Sequence, residues 1–357
     1  MEQALLTIDL KALAGNHGLF RRRVGPRVRV AGIVKADAYG LGMIPVAETL
    51  YAQGCRDFFV ATLEEALSLR AALPDAPIAM LGGLSCGTED DFIAHNIVPV
   101  LNSAADISGW KECAARTGRK LPAILHFDTG MNRLGLGADE TAALLDDPYA
   151  FDGLDIRLVM SHFACADEKG HPLTAQQQAR FEVIAAHFPG IEKSLANSSG
   201  IFRDTAYHYD LVRPGMGVYG LNPVPETVNP MQPVVRLEAR ILQIRNARKG
   251  ETVGYGASHT LERDTRLATV GLGYADGFLR SLSGRGVLYY QGTPCPVIGR
   301  VSMDLVTVDI GSLPTHPGEM LEVLGPHQDA DALAAAAGTI GYEILTSLGA
   351  RYKRVYL

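Results

Sequence analysis

The sequence predicts an α/β protein: an N-terminal (β/α)₈ barrel of the TIM type followed by a smaller, all-β domain. Three observations predict it. Up to about residue 220, short aliphatic runs alternate with Ala- and Leu-rich stretches of helical period, the pattern of a parallel sheet with crossover helices. A loop rich in Pro and Asn follows, with Asn222, Pro223, Pro225, Asn229, Pro230 and Pro233. Beyond it, alternating apolar runs are separated by Gly and Pro turns, as in an antiparallel β domain.

The barrel strands are read at Val28 to Lys35, Asp57 to Thr62, Ile78 to Leu81, Val98 to Leu101, Ala123 to Asp128, Arg157 to His162, Ser194 to Ser198 and Asp210 to Arg213. Helical period fills residues 43–53, 64–72, 88–95, 103–117, 138–146, 174–188 and 199–206 between them. About eight such units are what a closed barrel needs. In the second domain, strands are expected through Leu237 and Ile241, Leu267 to Leu272, Val287 to Tyr290, Leu305 to Ile310 and Met320 to Leu324, with one helix near 329–337. The division falls at residues 1–230 and 231–357.

Composition narrows the function. With 33 Lys and Arg against 39 Asp and Glu, the net charge of −6 offers no cationic field for nucleic acid or an anionic membrane. No stretch approaches the roughly 20 apolar residues of a spanning helix, and no signal peptide is visible. The five cysteines are widely spaced with no C-x-x-C pair, so a reducing cytoplasm is expected.

Barrel enzymes carry their chemistry at the C-terminal strand ends. Here the runs end in Lys35, in His126 and Asp128, in Ser161 and His162, in Asn197 and Ser198, and in Arg213. The loops after strands seven and eight, where barrels commonly hold a phosphate, read Asn197-Ser198-Ser199-Gly200 and Arg213-Pro214-Gly215-Met216-Gly217. Their small residues let main-chain N–H groups approach phosphate oxygens, although each segment alone also fits an ordinary strand-to-helix turn. Lys35 follows the apolar run Val30 to Val34, so its amine is expected to be partly desolvated and nucleophilic, as a Schiff-base lysine requires. A lysine with a phosphate cradle suggests pyridoxal 5′-phosphate. Metal ligation by His126, Asp128 and His162 is the weaker reading.

These residues carry a family resemblance over nearly the whole chain. Val34-Lys35-Ala36-Asp37-Ala38-Tyr39-Gly40-Leu41-Gly42 resembles the cofactor-lysine signature of alanine racemases. Asp128-Thr129-Gly130-Met131-Asn132-Arg133, Ser161 to Glu168, Arg213 to Gly220 and Val253-Gly254-Tyr255-Gly256-Ala257 follow in order, with Gly273 to Gly277 and the pair Met303-Asp304. The resemblance implies an L-alanine to D-alanine racemase in a homodimer with shared sites. Lys35 would bear the cofactor on one face of the substrate Cα, and Tyr255 of the other subunit would be the base on the opposite face. Tyr39, Ser198 and the backbone of Gly215 and Met216 would hold the phosphate. Arg213, oriented by His162, would meet the pyridine nitrogen. Arg133 and the Met303 backbone would bind the substrate carboxylate, and Tyr274 would line the entrance.

The chain departs from the family pattern at two places. His126 stands where many members have a lysine, often carbamylated, that steadies the arginine; Ala350 stands where some have a phosphate-contacting tyrosine. A broader racemase acting on serine or basic amino acids is the neighbouring alternative. A cofactor-carrier barrel resembles the first domain alone.

Overall fold

The structure, a computed structural model, describes residues 3–357. Seven parallel strands form one continuous ladder in chain order: Gly32–Ile33, Phe58–Val60, Ile78–Met80, Ile97–Leu101, Leu121–His126, Leu154–Met160 and Glu192–Ser194. Leu211–Val212 closes the ring. It pairs in parallel with Arg29–Val30, and the N–H groups of Asp210 and Arg213 reach Lys193 O and Ala196 O at 3.1 and 3.0 Å. The first strand is thus broken at Ala31: its first half meets the eighth strand and its second half meets the second. Phe58, Phe59, Leu125, Phe127 and Val159 fill the interior, as expected of strands buried on both faces.

The crossover helices start where side chains can cap them. Thr62 Oγ1 accepts from Glu65 N at 3.3 Å, Ser103 Oγ from Asp106 N at 3.1 Å, and Asn197 Oδ1 from Gly200 N at 2.9 Å. These caps fix the helix starts close to the strand ends, and so fix the loops that carry the polar residues.

The second domain is an eight-stranded sheet built around Val235–Ala247, a thirteen-residue strand. A register shift between Ile241 and Gln243 divides its work. The first half pairs with Ala4–Ile8 and Met320–Leu324, and the second half with Thr265–Val270, which pairs in turn with Val306–Asp309. Ala4–Ile8 lies inside the stretch read as barrel, yet it belongs to this sheet, antiparallel to Val235–Ala247 and parallel to Lys353–Tyr356. Its alternating burial explains the placement, because one wet face suits this sheet and not a barrel wall. The domain is mostly rather than wholly β. It carries the helices Ala330–Ala337, capped by Asp329 and favoured by its alanines, and Gly341–Thr346.

Candidate active site

Lys35 opens a turn that L-residues rarely adopt. Ala36, Asp37, Ala38 and Tyr39 have φ of 53°, 53°, 52° and 58°, a left-handed helical turn without glycine. Such residues cost about 1–2 kcal/mol each, so the surroundings must hold them. They do so from several sides. Asp37 Oδ1 accepts from Met43 N at 2.7 Å, Arg354 Nη2 donates to Gly40 O at 3.2 Å, and Tyr356 Oη donates to Leu41 O at 3.0 Å. The second domain's last strand therefore grips the turn of the first.

The turn sets Lys35 at the barrel mouth and sends Tyr39 back into the protein, where its ring stacks on Tyr219 at a centroid distance of 4.5 Å. Burial, and then the charge of Arg133, push the Lys35 amine below its ordinary value, with Glu65 acting in opposition. A lowered amine is the form that attacks a carbonyl or takes up a proton.

Tyr39 faces the loop after the eighth strand. A Cβ on Gly215 would lie 2.3 Å from Tyr39 Oη, so only glycine allows this approach. Ser198 Oγ accepts from Gly215 N at 3.0 Å and Gly217 N at 3.3 Å, while Tyr39 Oη has no hydrogen-bond partner among the described residues. Hydroxyls and main-chain N–H groups thus gather where the sequence places the phosphate.

Arg213 is buried to 5% exposure with no carboxylate beside it. Its Nη1 donates to Ser194 Oγ, and its Nη2 to Ser161 O at 2.6 Å and His162 Nδ1 at 3.4 Å. Nε has no partner among the described residues. Burial lowers the guanidinium to about 10. Because arginine can only donate, His162 must accept through Nδ1, and burial and then Arg213 hold the imidazole well below its ordinary value. The structure thus brings together His162 and Arg213, the pair that the sequence expects to act together.

Arg133 stands on a loop organised by Asp128, whose carboxylate accepts from Gly130 N, Met131 N and Asn132 N, each at 2.8 Å. Thr129 Oγ1 meets Ser161 Oγ at 2.7 Å, tying the loop to the neighbouring strand. Beneath it, His126 Nδ1 lies 2.7 Å from Asn102 Oδ1. The Asn102 amide donates to Leu81 O and Val100 O, which fixes its oxygen toward His126 and therefore puts the proton on Nδ1. Burial, and next Arg213, lower His126 to about 4, so it is a neutral ring with its Nε2 lone pair free of that bond.

The remaining expected residues lie elsewhere. Tyr255 is 73% exposed on a turn of the second domain, and no hydrogen bond within the chain ties it to Lys35. Met303 and Tyr274 are exposed too, on packed loops where Tyr274 N donates to Ser302 O and Ala275 N to Met303 O. Arg351 clamps both loops through Asp276 at 2.7 Å and Asp304 at 2.8 Å. One chain thus holds the expected residues in two separate places: a mouth with Lys35, and an open patch with Tyr255, Tyr274 and Met303.

Family models for the alanine racemase N-terminal domain and the alanine racemase C-terminal domain match residues 8–223 and 234–356. The chain belongs to the alanine racemase family. It is 51% identical to the alanine racemase of Rhodospirillum rubrum, over 99% of this chain and 96% of that one, and 51% identical to that of Acidiphilium cryptum, over 99% of both. The crystal structure of alanine racemase from Bartonella henselae with covalently bound pyridoxal phosphate superposes with a TM-score of 0.96 at 40% identity, each chain covered completely.

For an alanine racemase, the site holds residues that the sequence reading passed over. Asn102 directly follows the strand Ile97–Leu101, so the strand-end rule could have found it. Tyr342, whose hydroxyl lies 2.5 Å from Met216 Sδ and whose ring leans on Tyr39 at 6.0 Å, had no local signal. Nor had Gln177, which donates to His162 O at 2.8 Å from the helix Pro172–Ala185.

The buried histidines give a pH prediction. Burial lowers His17 and His126 to about 4 from 6.5, and holds His162 well below its ordinary value. The unfolded chain therefore binds more protons between pH 6.5 and 4, and stability is lost as pH falls through that window, by a few kcal/mol on the order of each shift. The thermal unfolding midpoint is expected to drop there, and less steeply in His17→Gln; a flat midpoint would refute it.

Proposed function

We propose that the barrel mouth holds pyridoxal phosphate on Lys35 and interconverts L- and D-alanine with two bases, Lys35 on one face of Cα and Tyr255 of a second copy on the other. The chain is a pyridoxal-phosphate-dependent alanine racemase. The observation that carries the site assignment is the buried Arg213, with Nε unpartnered and no carboxylate, facing the same mouth as Lys35 and the cradle of Tyr39, Ser198 and Gly215.

The donor set fits the cofactor part by part. Lys35 would hold its aldehyde, Tyr39, Ser198, Gly215 and Met216 its phosphate, and Arg213 its ring nitrogen, to which a guanidinium would offer a hydrogen bond and no proton. When bound, the cofactor supplies an electron sink for the charge left on Cα. Lys35, desolvated, exchanges a proton with one face. One group on one face cannot readily return a proton to the other, so the second base must come from elsewhere.

Tyr255 supplies it in this reading. Tyrosine titrates near about 10 in water, so it needs a cation beside it, and Arg133 of the opposite mouth is that cation. Arg133 also binds the substrate carboxylate with the Met303 backbone, and Tyr274 lines the entrance. The exposure of Tyr255, Tyr274 and Met303 supports a homodimer in which residues 231–357 of one chain complete the site on residues 1–230 of the other. Five unpaired cysteines support a cytoplasmic location, and among the described residues no helix is long and apolar enough to cross a membrane.

Incubation with L-alanine, L-serine and L-lysine in D₂O, with chiral analysis and α-deuterium measurement, tests the substrate. Alanine is expected to racemise with deuterium incorporation; deuterated D-serine or D-lysine at comparable rates would replace alanine specificity with a broad one.

A further inference from the structure

The left-handed turn has a holder that belongs to neither the cofactor cradle nor the substrate contacts. Glu65 lies in the first turn of the helix Leu63–Ala72, behind the N-cap Thr62. Its Oε2 accepts from Ala61 N at 2.8 Å and Thr62 N at 3.3 Å, and its Oε1 accepts from Ala36 N at 2.6 Å. A capping box accounts for the bond to Thr62 N. It does not account for the bond to Ala36, which lies in another loop, immediately after Lys35.

We propose that Glu65 is a positioning residue for Lys35, stapling the left-handed turn to the end of the second barrel strand and setting a negative charge that acts on the amine. This rests on Lys35 being the cofactor-bearing base.

Three arguments carry it. Ala36 is the first residue of the strained turn, and its N–H has no other hydrogen bond among the described residues, so the register of Lys35 depends on this acceptor. Both carboxylate oxygens meet N–H donors from opposite sides, an arrangement that a carboxylate satisfies and an amide does not, because one side of glutamine would set NH₂ against N–H. Finally, Glu65 is the carboxylate whose charge opposes the depression of the Lys35 amine by burial and Arg133.

The other charged groups around the turn are committed or turned away. Arg133 and His162 face Lys35 across the mouth. Asp37 is bound to Met43 N, Glu343 to Thr339 Oγ1, and Arg354 and Tyr356 to the carbonyls of Gly40 and Leu41. Glu48 and Glu64 are exposed on the helices Met43–Ala52 and Leu63–Ala72.

The test uses the full-length chain freed of cofactor, with added pyridoxal phosphate as the probe. The rate at which visible absorbance develops is followed against pH, since only the neutral amine captures the aldehyde. Removing a charge that favours the protonated amine lowers its pKa. In Glu65→Gln, the pH midpoint of capture is therefore expected to move down, and kcat for alanine to fall about tenfold or more with KM within about threefold. Glu65→Asp, which keeps the charge, is expected to return the midpoint toward that of the wild type. An unchanged midpoint in Glu65→Gln, or an equal fall in both variants, overturns the proposal. Lys35→Ala separates the two readings: it captures nothing if Lys35 is the cofactor lysine, whereas wild-type absorbance in it removes the premise itself.

Discussion

Lys35→Ala is expected to remove the visible absorbance of the cofactor-loaded protein and to lower racemisation by at least about 10⁴-fold, the loss of a covalent anchor and a proton-transfer group together. The fold should survive. The side chain is half-buried and burial already disfavours its charge, so truncation removes a desolvated amine from the mouth. The neighbours Ala36 to Tyr39 keep their own supports in Asp37, Arg354 and Tyr356. Absorbance spectra, chiral assay and thermal unfolding of the same preparation check this. Retained wild-type absorbance would sink the assignment of Lys35, and retained activity without absorbance would sink the role of the cofactor.

The second large effect is recovery of activity by mixing two inactive variants, Lys35→Ala and Tyr255→Ala. Tyr255 is 73% exposed, so its truncation should leave folding intact. If the sites are shared, each mixed dimer has one site carrying both defects and one carrying neither. An equal mixture with random exchange then regains about a quarter of wild-type sites. Subunit exchange is verified by differently tagged chains. No recovery despite proven exchange would place Tyr255 and Lys35 in the same chain's site, or remove Tyr255 from the chemistry.

Much of this was legible because the relevant signals are local. The seven crossover helices lie within a few residues of their expected positions, since apolar period and capping residues set them. Lys35, His126, His162 and Arg213 were found by asking what each strand ends in, because parallel strands deliver their last residues to one face. The left-handed turn was not legible. Lys35-Ala36-Asp37-Ala38-Tyr39 has no glycine to announce positive φ, and the contacts that hold it come from Glu65, Arg354 and Tyr356, far along the chain. Ala4–Ile8 was missed for a related reason: five residues give too short a pattern to name a partner two hundred residues away. Tyr255 rested on the resemblance alone, since an exposed tyrosine in a turn has no periodicity to mark it.

The place of Ala4–Ile8, held between Val235–Ala247 and Lys353–Tyr356, has a consequence for how the molecule is made. Topologically the barrel is an insertion between two strands of the other domain. A ribosome releases the barrel's whole sequence while Ala4–Ile8 still waits for partners synthesised last, so the order of assembly is barrel first and sheet afterwards. For the same reason a single protease cut in the loop 222–233 does not yield two self-sufficient halves. The larger fragment carries away Ala4–Ile8, the strand that joins Val235–Ala247 to Lys353–Tyr356, and the smaller keeps the Arg354 and Tyr356 that steady Lys35.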